Sequence, residues 1–172
     1  MCYAIDAAMT LVNMSVDLAE LLDDSRYYTD YIKVHKQLFL AQCFMLENYH
    51  KTLFHERITA HRCGPFVDGL DLLIKMRDSG PIKKRFESGD YVELTPLRQN
   101  ILRWIVNEFG AYSAEELVEA TKTTKAYQQA VEGAEPNSRP LIPLNAMSGS
   151  LRSLLVTWGP YYDQVMPGSQ RA

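Results

Sequence analysis

Apolar residues recur at helical spacing in successive segments of this chain, and this periodicity limits the fold more than any other feature. The first segment predicts a helix over residues 3–23, which the polar run at 23–25 ends. The second predicts a helix that runs to about Tyr49, with Thr29 or Asp30 as its N-cap. Two long amphipathic segments at the start of the chain therefore indicate a mainly α fold.

The middle of the chain is broken by glycine and proline. Residues 57–62 contain β-branched side chains and predict one strand, and Gly64-Pro65 predicts a tight turn after it. We expect a third helix over 66–78 and then a polar loop over 81–93. Basic residues surround this loop and predict either a solvated surface or a phosphate contact. They are Lys75, Arg77, Lys83, Lys84 and Arg85.

Two further helices have clear start signals. Thr95-Pro96 predicts the start of a fourth helix, which Gly110 ends. Ser113 and Glu116 have the spacing of a capping box, which opens a fifth helix. The predicted fold is therefore a compact, mainly α bundle of about six or seven helices with one or two short β-strands.

The last part of the chain differs in composition from the rest. Residues 133–143 contain one glycine and three prolines and predict a connector. A short sixth helix is expected over 124–132 before it, and a last helix over 145–158 after it. We expect one domain over 1–132, on which the connector and C-terminal helix of 133–172 pack.

Composition and charge argue against several classes of protein. The 172 residues include 18 Lys plus Arg and 21 Asp plus Glu, and the resulting net charge of -3 argues against specific nucleic-acid binding. No apolar stretch approaches the roughly 20 residues that a membrane-spanning helix needs. No secretory leader is evident, and the three cysteines are too sparse for a disulfide framework. We expect a cytoplasmic protein that does not enter a membrane.

Three histidines and a cysteine within fourteen residues raise the question of a metal or thiol site: His50, His55, His61 and Cys63. Their spacing matches no zinc finger, so we expect no metal and no cofactor. A thiol enzyme, in which His61 or His50 activates Cys63, is the catalytic alternative. Surface histidines and a buried thiol explain the same residues, so we predict no enzyme and no catalytic residue.

Four short motifs in the first half of the chain occur in the order of a known family. They read VHKQLFLAQ at 34–42, KTLF at 51–54, ITA at 58–60 and GPF at 64–66. Together with the segment from Phe109 to Thr121, they resemble the Panacea domain of SocA-like antitoxins, over about residues 10–132. The motif residues that we expect to hold the scaffold are Leu38, Phe39, Gln42, Phe54, Gly64 and Pro65.

Elementary physical chemistry explains most of these scaffold residues. The leucine and the two phenylalanines are expected in the core. Gln42 needs hydrogen bonds if it is buried, so we predict that it ties the second helix to a neighbouring backbone segment. Gly64 permits a backbone geometry that Pro65 then stiffens. These residues therefore specify a fold and do not name a partner.

The resemblance implies a non-enzymatic antitoxin that binds a toxin encoded nearby and blocks its active site. It further implies that the toxin could be a small alarmone-synthetase-like, tRNA-modifying enzyme. A higher-order complex of toxin and antitoxin and delivery to an ATP-dependent protease are also implied. The alternative from the same fold is a phage or prophage protein that blocks a host factor.

Residue type and position suggest where a toxin would bind. Aromatic and arginine side chains dominate the energetics of protein interfaces, and acidic side chains add charge complementarity. We expect candidates for this interface at the helix ends and loops of the predicted fold. They are Tyr27, Tyr28, Arg62, Phe66, Glu115, Glu116 and Tyr127.

Overall fold

The computed structural model of the chain describes residues 1–158, which form seven α-helices and one β-hairpin. The helices are α1 Ala4–Leu22, α2 Tyr31–Tyr49, α3 Pro96–Phe109, α4 Ala114–Lys122, α5 Lys125–Val131, α6 Leu144–Met147 and α7 Ser150–Trp158. The strands are β1 Ile58–His61 and β2 Gly64–Val67, and two 3-10 turns span Ser25–Tyr27 and Asp71–Met76. The predicted fold class is confirmed. Residues 159–172, the end of the predicted C-terminal part, lie outside the described residues.

Helix α2 forms the centre of the fold. Every residue from Lys33 to Met45 is buried, although the sequence of this stretch includes lysines, a histidine and glutamines. The helix contacts α1, α3, α4, β2, α6 and α7. Because it is covered on all sides, its polar side chains must find partners inside the protein. The first residue before it, Asp30, caps it by accepting from the Lys33 backbone N–H at 2.8 Å, as the sequence predicts.

The two strands form an antiparallel hairpin whose turn differs from the prediction. His61 pairs with Gly64, so the turn consists of Arg62 and Cys63. Gly64-Pro65 is therefore the start of β2, and the expectation of a tight turn at these two residues was wrong. Gly64 has a φ of +83°, a conformation that favours glycine, and this lets the chain enter the second strand directly after the turn.

The helix expected over 66–78 is also absent. Phe66 and Val67 belong to β2, where they pair with Thr59 and Ile58 of β1, and a 3-10 turn follows. The apolar spacing of this stretch suits a helix, but its backbone pairs with β1, a partner that local periodicity does not show. Gly69, with a φ of +83°, then separates the strand from the 3-10 turn.

The C-terminal part of the described chain is tied to the hairpin. The Ala60 N–H donates to the Pro140 carbonyl at 2.8 Å, and the Ile142 N–H donates to the Ile58 carbonyl at 2.9 Å. The last predicted helix is divided into α6 and α7 by Gly149, which has a φ of +83°. Within residues 1–158, no helix is both long and apolar enough to cross a membrane.

Candidate functional site

Buried polar side chains of α2 hold the hairpin and the loop before it. The Gln42 Oε1 accepts from the Leu53 N–H at 2.7 Å, and its Nε2 donates to the Phe54 carbonyl at 3.3 Å. The prediction that Gln42 ties the second helix to a neighbouring backbone segment is confirmed. Leu38, Phe39 and Phe54 lie in the core, also as predicted.

Lys36 is fully buried and lies against the second strand. Its Nζ donates to the Pro65 carbonyl at 2.9 Å and lies 4.0 Å from the centre of the Phe66 ring. Burial lowers the pKa of Lys36 to about 7. A Cβ on Gly64 would lie 2.9 Å from the Thr121 Oγ1 and 3.1 Å from the Lys36 Cε, so only glycine leaves room for this packing.

His35 is the second buried polar residue that supports the hairpin. Its Nδ1 accepts from the Val67 N–H at 3.0 Å, which leaves the proton on Nε2 in the neutral ring. Burial lowers the pKa of His35 to about 3, so the ring is neutral at physiological pH. The ring packs against Tyr31 and Phe66, whose centres lie 4.8 Å and 4.3 Å away. His35 and Lys36 thus fix the position of the Phe66 ring.

Beside this cluster lies an open groove with a volume of about 540 Å³. One wall comes from α2 and the hairpin, and the other comes from α5 and the connector that follows it. Most of its exposed surface is apolar, and a smaller pocket of about 400 Å³ adjoins it through Tyr31, His61, Phe66 and Arg139. Grooves of this size and character are where proteins bind ligands and peptide segments.

The groove brings together three of the seven residues that we predicted for an interface. Arg62 lies exposed at the hairpin turn, Phe66 is half-buried beside it, and Tyr127 is mostly buried on the opposite wall. The Tyr127 hydroxyl donates to the His61 carbonyl at 2.6 Å, which fixes the two walls to each other. Arg62 and Phe66 are neighbours in the hairpin, whereas Tyr127 lies 61 positions beyond Phe66 and meets them only in the fold.

The other four predicted interface residues do not line this groove. Tyr27 and Tyr28 lie half-buried at the 3-10 turn before α2. Glu115 and Glu116 are exposed in the first turn of α4, where Glu116 accepts from the Ser113 N–H at 2.8 Å and completes the predicted capping box. Glu116 therefore already has a structural role.

A buried lysine of α2 stabilises the turn that carries Tyr27 and Tyr28. The Lys33 Nζ donates to the carbonyls of Arg26, Tyr28 and Gly110 at 3.0, 3.1 and 2.7 Å. Burial lowers the pKa of Lys33 to about 8, while Asp30 and Glu116 raise it. The lysine thus fixes the turn that carries Tyr27 and Tyr28 to the end of α3.

The histidines and cysteines do not assemble into a metal site. Within residues 1–158, no group of three or more His, Cys, Asp or Glu side chains is placed to hold a metal ion. His50 ends α2 in a left-handed conformation, His55 is exposed, and His61 is hydrogen-bonded to the Thr59 hydroxyl at 3.0 Å. The interpretation of Cys63 as a buried thiol was wrong, because its position in the hairpin turn leaves it exposed.

Four residues of the site were not singled out as site residues from the sequence. Lys36 and His35 resemble ordinary surface residues of a helix until the burial of α2 is known. Arg77 belongs to the basic residues around the 81–93 loop, for which a phosphate contact is one of the two interpretations given above. Arg139 lies in the connector, and nothing in the local sequence indicates that it faces the groove.

Comparison with known proteins identifies the family. The family model for antitoxin SocA-like proteins, the Panacea domain, matches residues 34–128. A search of the curated proteins gave no match, and a search of the solved structures gave none either. The matched range contains most of α2, the hairpin, α3, α4 and most of α5. This chain therefore belongs to the SocA-like antitoxin family and carries its Panacea domain.

Proposed function

We propose that this protein is an antitoxin that neutralises a protein toxin by binding it directly and covering its active site. The family match over residues 34–128 is the observation that carries the proposal. In this reading the antitoxin needs no catalytic group, because the toxin is inhibited by steric exclusion of its substrate. The toxin that we favour is a small alarmone-synthetase-like enzyme that modifies tRNA, and we place the encounter in the cytoplasm.

The groove between the hairpin and the connector is the contact surface that we propose. Arg62, Phe66 and Tyr127 converge there, and arginine and aromatic side chains are the residue types that dominate binding energy at interfaces. Phe66 is held by buried neighbours, so it loses little conformational entropy on binding. A stable complex would bury on the order of 1,600 Å² in total, so the groove would form the centre of a larger contact.

Co-expression with the protein encoded next to this one tests the proposal. The neighbour alone should arrest growth, and the pair should grow and co-purify as a stable complex. Arg62→Ala or Phe66→Ala should weaken the complex by more than about 1 kcal/mol, while Arg103→Ala, an exposed arginine outside the groove, should not.

Four outcomes separate the alternatives. A harmless neighbour that does not co-purify would overturn the antitoxin proposal, and capture of a host protein instead would favour the host-factor alternative. A complex that tolerates every groove substitution would move the interface to the surface of Tyr27, Tyr28, Glu115 and Glu116. Loss of an intrinsic activity on alkylation of Cys63, without any partner, would favour the enzyme alternative.

A further inference from the structure

The arginines of the described chain fall into two groups. Six of the nine arginines in residues 1–158 bind an acceptor within the protein: Arg26, Arg57, Arg85, Arg98, Arg103 and Arg152. The side chains of the other three, Arg62, Arg77 and Arg139, form no hydrogen bond or ion pair with any described residue. All three line the same groove.

The charges around the groove are unbalanced. Glu135 is the acidic residue that lines it together with the three arginines, although the whole chain has a net charge of -3. The adjoining smaller pocket contains Asp68 and Asp71, and Asp68 is already paired with Arg57 at 3.6 Å. The groove is therefore a local positive region on a protein that is acidic as a whole.

The walls between the arginines are apolar. Phe66, Tyr127 and Ile74 contribute aromatic and aliphatic surface to the lining. Guanidinium groups pair with carboxylates in a bidentate geometry, and apolar walls gain free energy when they lose contact with water. A segment that carries both carboxylates and apolar side chains would satisfy both features at once.

We propose that the groove binds an acidic, apolar segment of the toxin, whose carboxylates pair with Arg62, Arg77 and Arg139. This inference rests on the proposed antitoxin function and specifies the chemistry of the surface that the toxin presents. Guanidinium groups also bind phosphate, so a nucleoside phosphate is the competing occupant. The proposed function favours the peptide segment, because an antitoxin of this family contacts a protein, and apolar side chains of that protein can cover the apolar walls of the groove.

Fluorescence anisotropy with three labelled peptides tests this chemistry on the full chain. The first peptide of twelve residues alternates pairs of aspartate and leucine, and the matched peptides replace aspartate by asparagine or lysine. We expect the aspartate peptide to bind at least about tenfold more tightly than the other two at low ionic strength. The triple variant Arg62→Ala, Arg77→Ala and Arg139→Ala should lose this preference, and Arg103→Ala should keep it.

The outcomes also separate this inference from the antitoxin proposal. Equal binding of the three peptides, no binding of any, or an unchanged preference in a triple variant with native circular dichroism would overturn the acidic-segment inference. Arginine-dependent binding of ADP without binding of the aspartate peptide would overturn it in favour of the phosphate occupant. None of these results affects co-purification with the neighbouring gene product, on which the antitoxin proposal depends.

Discussion

Gln42 lies fully buried on α2, and its side-chain amide pairs with the backbone of the loop that follows the helix. Gln42→Leu keeps the size but leaves the Leu53 N–H and the Phe54 carbonyl without a partner. We expect a loss of about 1–3 kcal/mol in the free energy of unfolding, measured by urea denaturation. Gln128→Leu, the same change at an exposed position of α5, should stay within about 0.5 kcal/mol of the wild type. Equal effects of the two substitutions would contradict this role.

The buried amine of Lys36 makes stability depend on pH. Burial lowers the pKa of Lys36 in the folded protein from 10.5 to about 7, so between these values the unfolded chain binds more protons than the folded one. The free energy of unfolding therefore rises with pH across this window, by at most about 1.4 kcal/mol per pH unit, and is lower below pH 7.

Urea denaturation at several pH values from 6 to about 10 measures this dependence. The stability of the wild type relative to Lys36→Met should rise with pH, because the variant lacks the titrating amine. The stability of the wild type relative to Lys125→Met, which removes an exposed lysine, should stay constant. The comparison with Lys36→Met cancels the similar contribution of Lys33, whose pKa burial also lowers, to about 8. A constant difference between the wild type and Lys36→Met would mean that Lys36 keeps its ordinary pKa.

At the scale of elements, the hairpin depends on a glycine that has no room for a side chain. Gly64→Ala combines a positive φ with a contact of 2.9 Å to the Thr121 Oγ1. Gly133→Ala is the matched control, because Gly133 has a φ of +69° but nothing within 4 Å of the added Cβ. We expect losses of about 3 kcal/mol for Gly64→Ala and about 1 kcal/mol for Gly133→Ala in thermal or urea unfolding. Similar losses would mean that strain alone matters at Gly64.

The elements that could be predicted from the sequence are those with local start and stop signals. Asp30 and Ser113 cap their helices through bonds to residues three positions away, and Gly110 is the C-cap of α3. The apolar spacing around Phe66 predicts a helix, because nothing in the local sequence indicates that this residue pairs with Thr59 of β1. Local chemistry thus predicts helix ends, whereas strand pairing depends on contacts between distant segments.

The candidate groove was predictable only in part for the same reason. Arg62, Phe66 and Tyr127 could be chosen by residue type as candidates for an interface, and the structure brings them together. Arg77 and Arg139 are 62 positions apart, and no periodicity relates them. The burial of Lys36 could not be predicted either, because helical periodicity does not show that α2 is covered on every side.

At the scale of the whole molecule, the three cysteines differ in accessibility. Cys2 and Cys43 are buried, and burial raises the pKa of Cys2 to about 11 and that of Cys43 well above its ordinary value, whereas Cys63 is exposed at the edge of the groove. A thiol assay should therefore find one fast-reacting cysteine in the native protein and three after unfolding.

Attachment of a bulky maleimide to Cys63 should block the complex with the toxin, since the label would stand beside Arg62 and Phe66. Cys63→Ser should bind normally and resist this inactivation, and both results can be read by co-purification or calorimetry. Normal toxin binding by the fully labelled protein would place the interface away from the groove.

One wall of the groove extends beyond the residues that the family model matches. His61 and Phe66 of the hairpin wall lie within the matched range, whereas the other wall begins at Tyr127 of α5 and continues through residues 131–140, beyond the end of the match at 128. Every residue from 131 to 139 is exposed, and the segment is then anchored to β1 through the Pro140 carbonyl. Substitutions or changes of length in this segment would reshape one side of the groove and leave the helical core intact. The shape of the groove can therefore change without a change in the packing of the helical core.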